Sequence, residues 1–178
     1  MADDEPGVDA PGVDAWKART SAFDRVQSVA STVSRPQSAT DIAAEAHVAE
    51  NTARDHLERL VEINVLLKRD REGTAVYAPD PLHTRMQTLR DLLDTHDHEG
   101  LLRLKAELLD RIEEWREEYE VGSPEELRER GADADDATET REILRAASDW
   151  ELVAYRLGIV EDAIENYATY SRENRASA

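Results

Sequence analysis

Residues 38–67, SATDIAAEAHVAENTARDHLERLVEINVLL, decide the fold of this chain. The stretch predicts two helices joined by a tight turn and followed by a strand. In the first helix Ser38 can cap the free N–H groups, and Asp41, three residues on, completes a capping box. The buried face of this helix is then formed by Ile42, Ala43 and Ala46.

The second helix is predicted from about Glu50 to Asn64. Its apolar residues recur at the three- and four-residue spacing that is typical of a helix packed on a core. These residues are Ala53, Leu57, Leu60 and Val61. Pointing away from that stripe are Asn51, Asp55, Glu58 and Glu62, with Thr52 and Arg54 on the flanks of the first turn. The start of the helix can therefore reach base edges, because asparagine suits adenine, arginine suits guanine or phosphate, and a carboxylate accepts from cytosine.

Two short strands follow, Val65 to Lys68 and Thr74 to Ala78, and the polar tip 69–73 between them predicts a β-hairpin. Helix, turn, helix and a hairpin with a basic tip resemble the winged helix-turn-helix regulators of archaea and bacteria, in particular the arsenic-repressor-like superfamily. The resemblance covers about Trp16 to Thr95. It implies a DNA-binding transcriptional regulator whose second helix reads the major groove, while the wing contacts phosphate or the minor groove.

The residues expected to contact DNA are Ser38, Asn51, Thr52, Arg54, Asp55, Lys68, Arg69 and Arg71. Two positions depart from the family pattern, since His47 stands where glycine is usual in the turn and Ala49 stands where Ser or Thr usually caps the second helix. Histidine adopts left-handed backbone more readily than most residues, and a missing cap costs about 1 kcal/mol. The fold therefore accommodates both changes.

Charge is distributed unevenly along the chain. The net charge of −18 comes from 40 acidic and 22 basic residues, and only three of the bases are lysines, Lys17, Lys68 and Lys105. Many acids and few lysines resemble proteins of salt-loving archaea, in which salt screens self-repulsion. The alternative is an acidic protein from ordinary salt. From 16 to 90 there are 11 bases and 10 acids, whereas residues 1–15 carry −5 and those after 90 carry −14. The segment 16–90 is thus the one least repelled by a polyanion.

Several classes of protein and site are not expected. The chain has no cysteine, which excludes disulfides and cysteine nucleophiles and fits a reducing cytoplasm. No apolar run approaches the ~20 residues of a membrane span, and the acidic N-terminus is unlike a signal peptide, so we expect a soluble cytoplasmic protein without a membrane partner. Because no phosphate-binding loop or catalytic triad pattern is present, we expect neither an enzyme nor a cofactor.

The histidines and the aromatic residues can each be interpreted as functional or as structural residues. His96 and His98 flank Asp97 as metal ligands could, but a helix cap explains that spacing, and no metal site is predicted. His56 is interpreted as a half-buried packing residue, because no nucleophile is near it in the sequence. The aromatics of the C-terminal half are interpreted as core or dimer packing in preference to the lining of a pocket for an unknown apolar effector. They are Trp115, Tyr119, Trp150, Tyr155, Tyr167 and Tyr170.

Three segments are predicted. Residues 1–15, which contain two Pro-Gly pairs, form a disordered acidic tail. Residues 16–95 form the winged helix-turn-helix domain, whose first helix runs from Ala15 to Val33. Residues 96–178 form a helical extension for dimerisation or regulation. The predicted fold is mainly α with a small β-hairpin wing and long C-terminal helices.

The helical extension contains two long apolar stripes, Leu101 to Tyr119 and Trp150 to Tyr167, separated by a short helix from Ser123 and an acidic loop 131–136. The last helix is predicted from Thr138 to Tyr170, with a bend or break at Gly158 or at the capping box 148–151. The stripes are expected to join two copies as a homodimer, with pairing within one chain as the alternative. The alternative function is a winged helix that binds only proteins, through the acidic face Asp55, Glu58 and Glu62.

Overall fold

The computed structural model describes residues 11–133 and 136–171. The chain is mainly helical with a small three-stranded antiparallel sheet, which confirms the predicted fold class at that level. It divides into two compact units, unit 1 up to Thr84 and unit 2 from Arg85. Each unit has buried clusters of its own, which are described in turn below.

Unit 1 begins with two helices where one was predicted. Its elements are α1 (Pro11–Arg19), α2 (Ala22–Thr32), β1 (Gln37–Ser38), α3 (Ala39–Glu45), α4 (Glu50–Glu62), β2 (Leu66–Arg71) and β3 (Thr74–Pro79). The single helix from Ala15 to Val33 is wrong, because Ser21 and Asp24 form a capping box that starts a new helix. Of the predicted tail, residues 1–10 lie outside the described residues and residues 11–15 belong to α1.

The sheet has the strand order β1-β3-β2, and Tyr77 of β3 lies opposite both Gln37 and Lys68. The hairpin tip is shorter than predicted, because β2 continues to Arg71 and only residues 72–73 make the turn. Both turn residues have positive φ, 54° and 82°, as a two-residue hairpin turn requires. The Asp70 carboxylate accepts a hydrogen bond from the Gly73 N–H at 3.0 Å and stabilises this turn.

The core of unit 1 lies among α2, α3, α4 and the sheet. The predicted stripe of α4 is confirmed, since Ala53, Leu57 and Leu60 are fully buried. They pack with residues of the neighbouring elements, namely Val26, Ala30, Ile42, Ala43, Leu66 and Tyr77. Several of these are alanines, which lets the helices approach closely.

The turn between α3 and α4 is held by backbone geometry and by one arginine. The capping box of Ser38 and Asp41 is confirmed at the start of α3. His47 has a φ of 51°, the left-handed conformation for which glycine is usual, and Ala49 begins α4 without a side-chain cap. Arg25 donates from Nε to the Ala46 carbonyl at 3.0 Å, which fixes the turn to α2.

Helix α5 (Pro81–Thr95) contains the division at residues 84 and 85. The helices that follow it are α6 (His98–Tyr119), α7 (Pro124–Ala132), α8 (Ala137–Glu165) and α9 (Tyr167–Tyr170). The predicted cap at the start of α6 is confirmed, because the Asp97 side chain accepts from the Gly100 N–H at 2.7 Å. Although α8 has 29 residues, no helix of the described part is both long and apolar enough to cross a membrane.

Two details of unit 2 differ from the sequence prediction. The last helix does not break at Gly158 or at 148–151, and the chain is helical to Glu165, where Asn166 bonds back to Asp162 and separates α9. Gly131 belongs to α7 and not to the predicted loop, of which residues 134–135 lie outside the described part. A Cβ on Gly131 would lie 2.8 Å from Ile143 Cγ2, so glycine permits the close packing of α7 on α8.

The two apolar stripes of unit 2 pair with each other. Buried residues of α6 and α8 form two clusters, one around Leu101, Leu108, Ile159, Val160 and Ala163 and one around Ile112, Trp115, Ile143 and Trp150. Leu127 of α7 joins the second cluster. This is the helical hairpin within one chain that was the alternative to a dimer seam. Val160 has no exposed surface, so it is not available to a second copy. Dimerisation itself stays a prediction.

Candidate nucleic-acid interface

The first turns of α4 expose the side chains that were selected for base contact. Asn51, Arg54 and Asp55 are exposed, and Thr52 is half-buried. Arg54 forms an ion pair with Glu50 one turn earlier, and its side chain is 56% exposed. An exposed i,i+4 pair contributes about 0.3–0.5 kcal/mol, so Arg54 can exchange Glu50 for another acceptor at little cost.

Glu58 is not the free outward acid that the sequence indicated. Its Oε1 accepts hydrogen bonds from Lys68 Nζ at 2.5 Å and from the Tyr77 hydroxyl at 2.7 Å. The hydrogen bond from Lys68, followed by that from Tyr77, holds the pKa of Glu58 below its usual range. Burial, followed by the bond to Glu58, raises the pKa of Tyr77 to about 12. Glu58 therefore stays ionised and ties α4 to the hairpin.

Lys68 was predicted to contact DNA, and in this structure its ammonium group is bound to Glu58. The two residues are ten positions apart, a spacing that suggests no contact by itself. They meet because the strand register sets Lys68 opposite Tyr77 and both side chains lie on the sheet face that turns toward α4. The contact between Glu58 and Lys68 is predictable only when the register of the hairpin is known.

The hairpin presents two arginines that make no ion pair with any residue the structure describes. Arg69 and Arg71 are both exposed, and since they are two residues apart in β2 they share the face opposite that of Lys68. Within 11–133 and 136–171, neither guanidinium group lies in an ion pair. Both therefore remain available to an external anion.

A polar cleft of about 350 Å³ adds a third arginine to this region of unit 1. It is lined by Thr32, Val33, Ser34, Arg35, Pro36, Gln37, Glu45 and Arg71. Arg35, like Arg71, is exposed and makes no ion pair with a described residue. Arg35 was not among the predicted contact residues, because nothing in the order of residues predicts that it shares a cleft with Arg71.

Ser38 has a local role in the structure. Its hydroxyl donates to the Asp41 carboxylate at 2.7 Å and accepts from the Asp41 N–H at 3.2 Å. A DNA contact by Ser38 would have to compete with this cap. Three of the eight predicted contact residues thus have polar partners among the described residues. Ser38 caps α3, Lys68 of β2 binds Glu58 of α4, and Arg54 binds Glu50 within α4.

His56, His96 and His98 make local contacts within the protein. His56 is half-buried, and its ring meets that of Phe23 edge to face at 5.5 Å, which confirms the packing interpretation. His96 Nδ1 lies 2.8 Å from the Thr95 hydroxyl, and His98 contacts the Tyr167 ring at 5.3 Å. Among the described residues, no three His, Cys, Asp or Glu side chains are grouped as metal ligands would be.

The tryptophans of unit 2 belong to its core. Trp115 and Trp150 are buried and stacked, with ring centroids 6.0 Å apart and an interplanar angle of 20°. Their interpretation as core residues is confirmed. Tyr155 and Tyr170 are exposed, and Tyr170 borders a smaller cleft of about 210 Å³ with Met86, Leu89, Arg90 and Leu93.

Comparison with known proteins gives one match. The profile of a family described as a family of unknown function (DUF7342) matches residues 20–169, which is most of the chain. No curated protein matches the chain. No solved structure matches it.

Proposed function

The chain belongs to the DUF7342 family, whose function is unknown, and we propose that it is a winged helix-turn-helix protein that binds duplex DNA sequence-specifically and regulates transcription in the cytoplasm. The order α2, β1, α3, α4, β2, β3 supports this, because winged helices have the same order of elements. In the proposal α4 is the recognition helix and the β2–β3 hairpin is the wing. No catalytic step is part of it.

The observation on which the proposal rests is the exposure of Asn51 and Arg54 at the start of α4. The same unit contains Arg69 and Arg71, which make no ion pair with a described residue. Base-reading side chains belong at the N-terminal end of a recognition helix, and cations belong where the phosphates pass. Arg54 would leave Glu50 for a guanine edge or a phosphate, and Asn51 would pair with adenine.

The charge distribution supports a DNA partner despite the acidic composition. The segment 16–90 is nearly neutral, with 11 bases and 10 acids, while the net charge of the chain is −18. One of the outward acids of α4, Glu58, is also neutralised by Lys68 within the unit. The phosphate backbone would therefore meet less repulsion here than the composition suggests.

The proposal includes a homodimer, because two recognition helices about 34 Å apart read successive major grooves on one face of the duplex. The stripe from Trp150 to Tyr167 was expected to form the seam, but its residues Leu157 and Val160 pack inside unit 2. An interface between copies would have to use other side chains of that unit, and its exposed apolar residues are Met86, Leu102, Leu109, Leu144, Leu152, Tyr155 and Tyr170.

Mobility-shift titrations in molar potassium chloride, with fragments of the protein's own promoter region, test the DNA proposal. Arg54→Ala should relax sequence preference and weaken binding by about 1–3 kcal/mol at the contacted base. Arg71→Ala should weaken all sequences alike and reduce the salt slope by about 1. Arg103→Ala, which removes an exposed arginine from unit 2, is the matched control and should change neither property.

Genome-wide occupancy should then show discrete sites. If the protein shifts neither its own promoter nor other duplexes, and occupancy in cells is uniform, the DNA proposal is wrong. The alternative of a protein-binding winged helix would gain support if a basic partner bound and the double substitution of Asp55→Asn and Glu62→Gln abolished that binding.

A further inference from the structure

Lys68 lies on the wing of the proposed DNA-binding unit, but its charge is already engaged. Its Nζ is 2.5 Å from Glu58 Oε1, and the two side chains are 43% and 42% exposed. Arg69 and Arg71, its neighbours in β2, have no such partner among the described residues. Of the three cations of β2, Lys68 is thus the one that is bound to an acid among the described residues.

We infer that Glu58 acts as an internal substitute for a DNA phosphate: it holds Lys68 against α4 and so lowers the affinity of the protein for DNA of any sequence. A carboxylate binds an ammonium group with the same charge-assisted hydrogen bonding that a phosphate oxygen offers. This inference rests on the proposed function, because it concerns how strongly the same surface binds.

The position of Glu58 is fixed independently of Lys68. The hydroxyl of Tyr77 donates to the same carboxylate at 2.7 Å, and Tyr77 is only 1% exposed. Tyr77 in turn is paired in the sheet with both Gln37 and Lys68, so it cannot move without opening the sheet. If Lys68 left, Glu58 would keep one strong hydrogen bond and remain beside the wing.

The ion pair between Glu58 and Lys68 is formed in this structure but is weak enough to exchange. Both side chains are nearly half exposed, and pairs of this kind are weak in water because the solvent screens them. A phosphate brought near the wing can therefore compete with Glu58 for Lys68, whereas solution anions alone would mainly screen the pair. The remaining outward acids, Asp55 and Glu62, lie on the same helix and make no ion pair with a described residue. Substituting one of them removes a negative charge from α4 without releasing a cation, and so provides a control for substitution of Glu58.

A double-mutant cycle on Glu58 and Lys68 tests the inference. Binding to a random-sequence duplex is followed by fluorescence anisotropy, from the lowest potassium chloride concentration at which the protein is folded up to about 1 M. Glu58→Gln keeps an acceptor for Tyr77 and frees Lys68. It should raise the affinity several-fold at the lowest salt and increase the salt slope by about 0.9, the value for one added phosphate contact.

Lys68→Gln alone should change the affinity less than about twofold, since a sequestered cation contributes little, and should remove the whole gain in the Glu58→Gln background. Asp55→Asn is the control. It removes the same amount of charge from α4 without freeing a cation, so it should leave the salt slope unchanged, and Lys68→Gln should have no larger effect in its background.

Three results would overturn the inference while leaving the proposed function standing. If Lys68→Gln alone weakens binding and reduces the slope by about 0.9, Lys68 contacts DNA in the natural protein. If the effects of the two substitutions simply add, the pair does not control affinity. If Glu58→Gln is folded by circular dichroism but binds less tightly, Glu58 only supports the wing. If none of the four proteins of the cycle (natural, Glu58→Gln, Lys68→Gln and the double variant) binds duplex DNA, the proposed function is rejected, and the inference with it.

If Glu58→Gln does not fold, the inference is tested by Lys68→Gln in the natural background alone. This substitution removes a side chain that is 43% exposed and leaves the Tyr77 to Glu58 hydrogen bond in place. An unchanged affinity and slope would support sequestration, and a lower slope would contradict it.

Discussion

His47 shows how a single residue can replace the glycine that a tight turn favours. Its φ of 51° is strained for a residue with a Cβ, at a cost of about 1 kcal/mol. The imidazole ring meets the ring of Trp16 edge to face at 6.2 Å, and Arg25 binds the carbonyl of the preceding residue. The turn is thus supported by the bond from Arg25 of α2 and by a ring contact with Trp16 of α1, and glycine at position 47 could not make the ring contact.

Tyr77 should make the stability of unit 1 sensitive to alkaline pH. Its pKa is raised to about 12, so between pH 10 and 12 the unfolded chain ionises this phenol while the folded one does not. The free energy of unfolding should therefore fall over that window, by at most about 3 kcal/mol at 1.36 kcal/mol for each pKa unit. Urea unfolding at pH 9 and pH 12 should show this loss in the natural protein and a smaller loss in Tyr77→Phe.

The matched control for this pH effect is Tyr155→Phe, which removes an exposed phenol of unit 2. Its loss of stability between the two pH values should equal that of the natural protein. An equal loss in Tyr77→Phe as well would contradict a neutral Tyr77 held by burial and by Glu58.

At the scale of elements, α4 lacks a cap that the chain uses elsewhere. The N-cap residue Ala49 has extended backbone, with φ −67° and ψ 145°, and makes no side-chain hydrogen bond. Ser38 occupies the same position of α3 with φ −75° and ψ 162° and does make one. Ala49→Ser should therefore stabilise unit 1 by about 0.5–1 kcal/mol, measured by urea unfolding.

The reverse change, Ser38→Ala, should destabilise the protein by a similar amount, because it exposes an uncapped N–H and removes the partner of Asp41. Thr40→Ala, at an exposed position of the same helix, serves as the comparison and should have a smaller effect. If Ala49→Ser lowers the stability, the backbone at this position does not suit a serine cap.

Periodicity and caps predicted most elements. They failed where these two local signals disagreed and where the outcome depends on distant contacts. The stripe of α4 and the caps at Ser38 and Asp97 could be predicted because each is a local pattern. The division of α1 from α2 was missed although Ser21 and Asp24 form a local capping box, because the apolar spacing continues through it. The binding of Lys68 by Glu58 was missed because it depends on strand register.

At the scale of the whole molecule, the net charge differs strongly between the two parts of the chain. The segment 16–90 has a net charge of +1, whereas the residues after 90 carry −14. Repulsion within unit 2 is reduced by ion pairs such as those of Lys105 with Glu161 and Arg85 with Asp162. Salt should consequently matter more to the folding of unit 2 than to that of unit 1.

The double substitution of Leu157→Asp and Val160→Asp distinguishes a dimer seam from a core. Val160 is fully buried in unit 2 and Leu157 packs against the same cluster, so two carboxylates there would be buried without partners. We expect loss of helical circular dichroism from unit 2, and not a folded monomer. The double substitution of Leu152→Asp and Tyr155→Asp, at exposed positions of α8, should keep the fold.

Sedimentation of the same proteins in molar salt tests the oligomeric state. The natural protein should sediment as a dimer, as the proposed function requires. A folded monomer of the Leu157→Asp and Val160→Asp variant would show that the packing within unit 2 is not essential to its fold. A natural protein that is monomeric at concentrations where it binds DNA would rule out the dimeric arrangement.

The three tryptophans give each unit its own chromophore. Trp16 lies in unit 1, half-buried beside Arg25 and His47, so its emission reports the surroundings of a single indole. Trp115 and Trp150 lie in unit 2, and with ring centroids 6.0 Å apart and an interplanar angle of 20° their excited states are close enough to couple. The single indole of unit 1 and the stacked pair of unit 2 are therefore different optical environments within one chain.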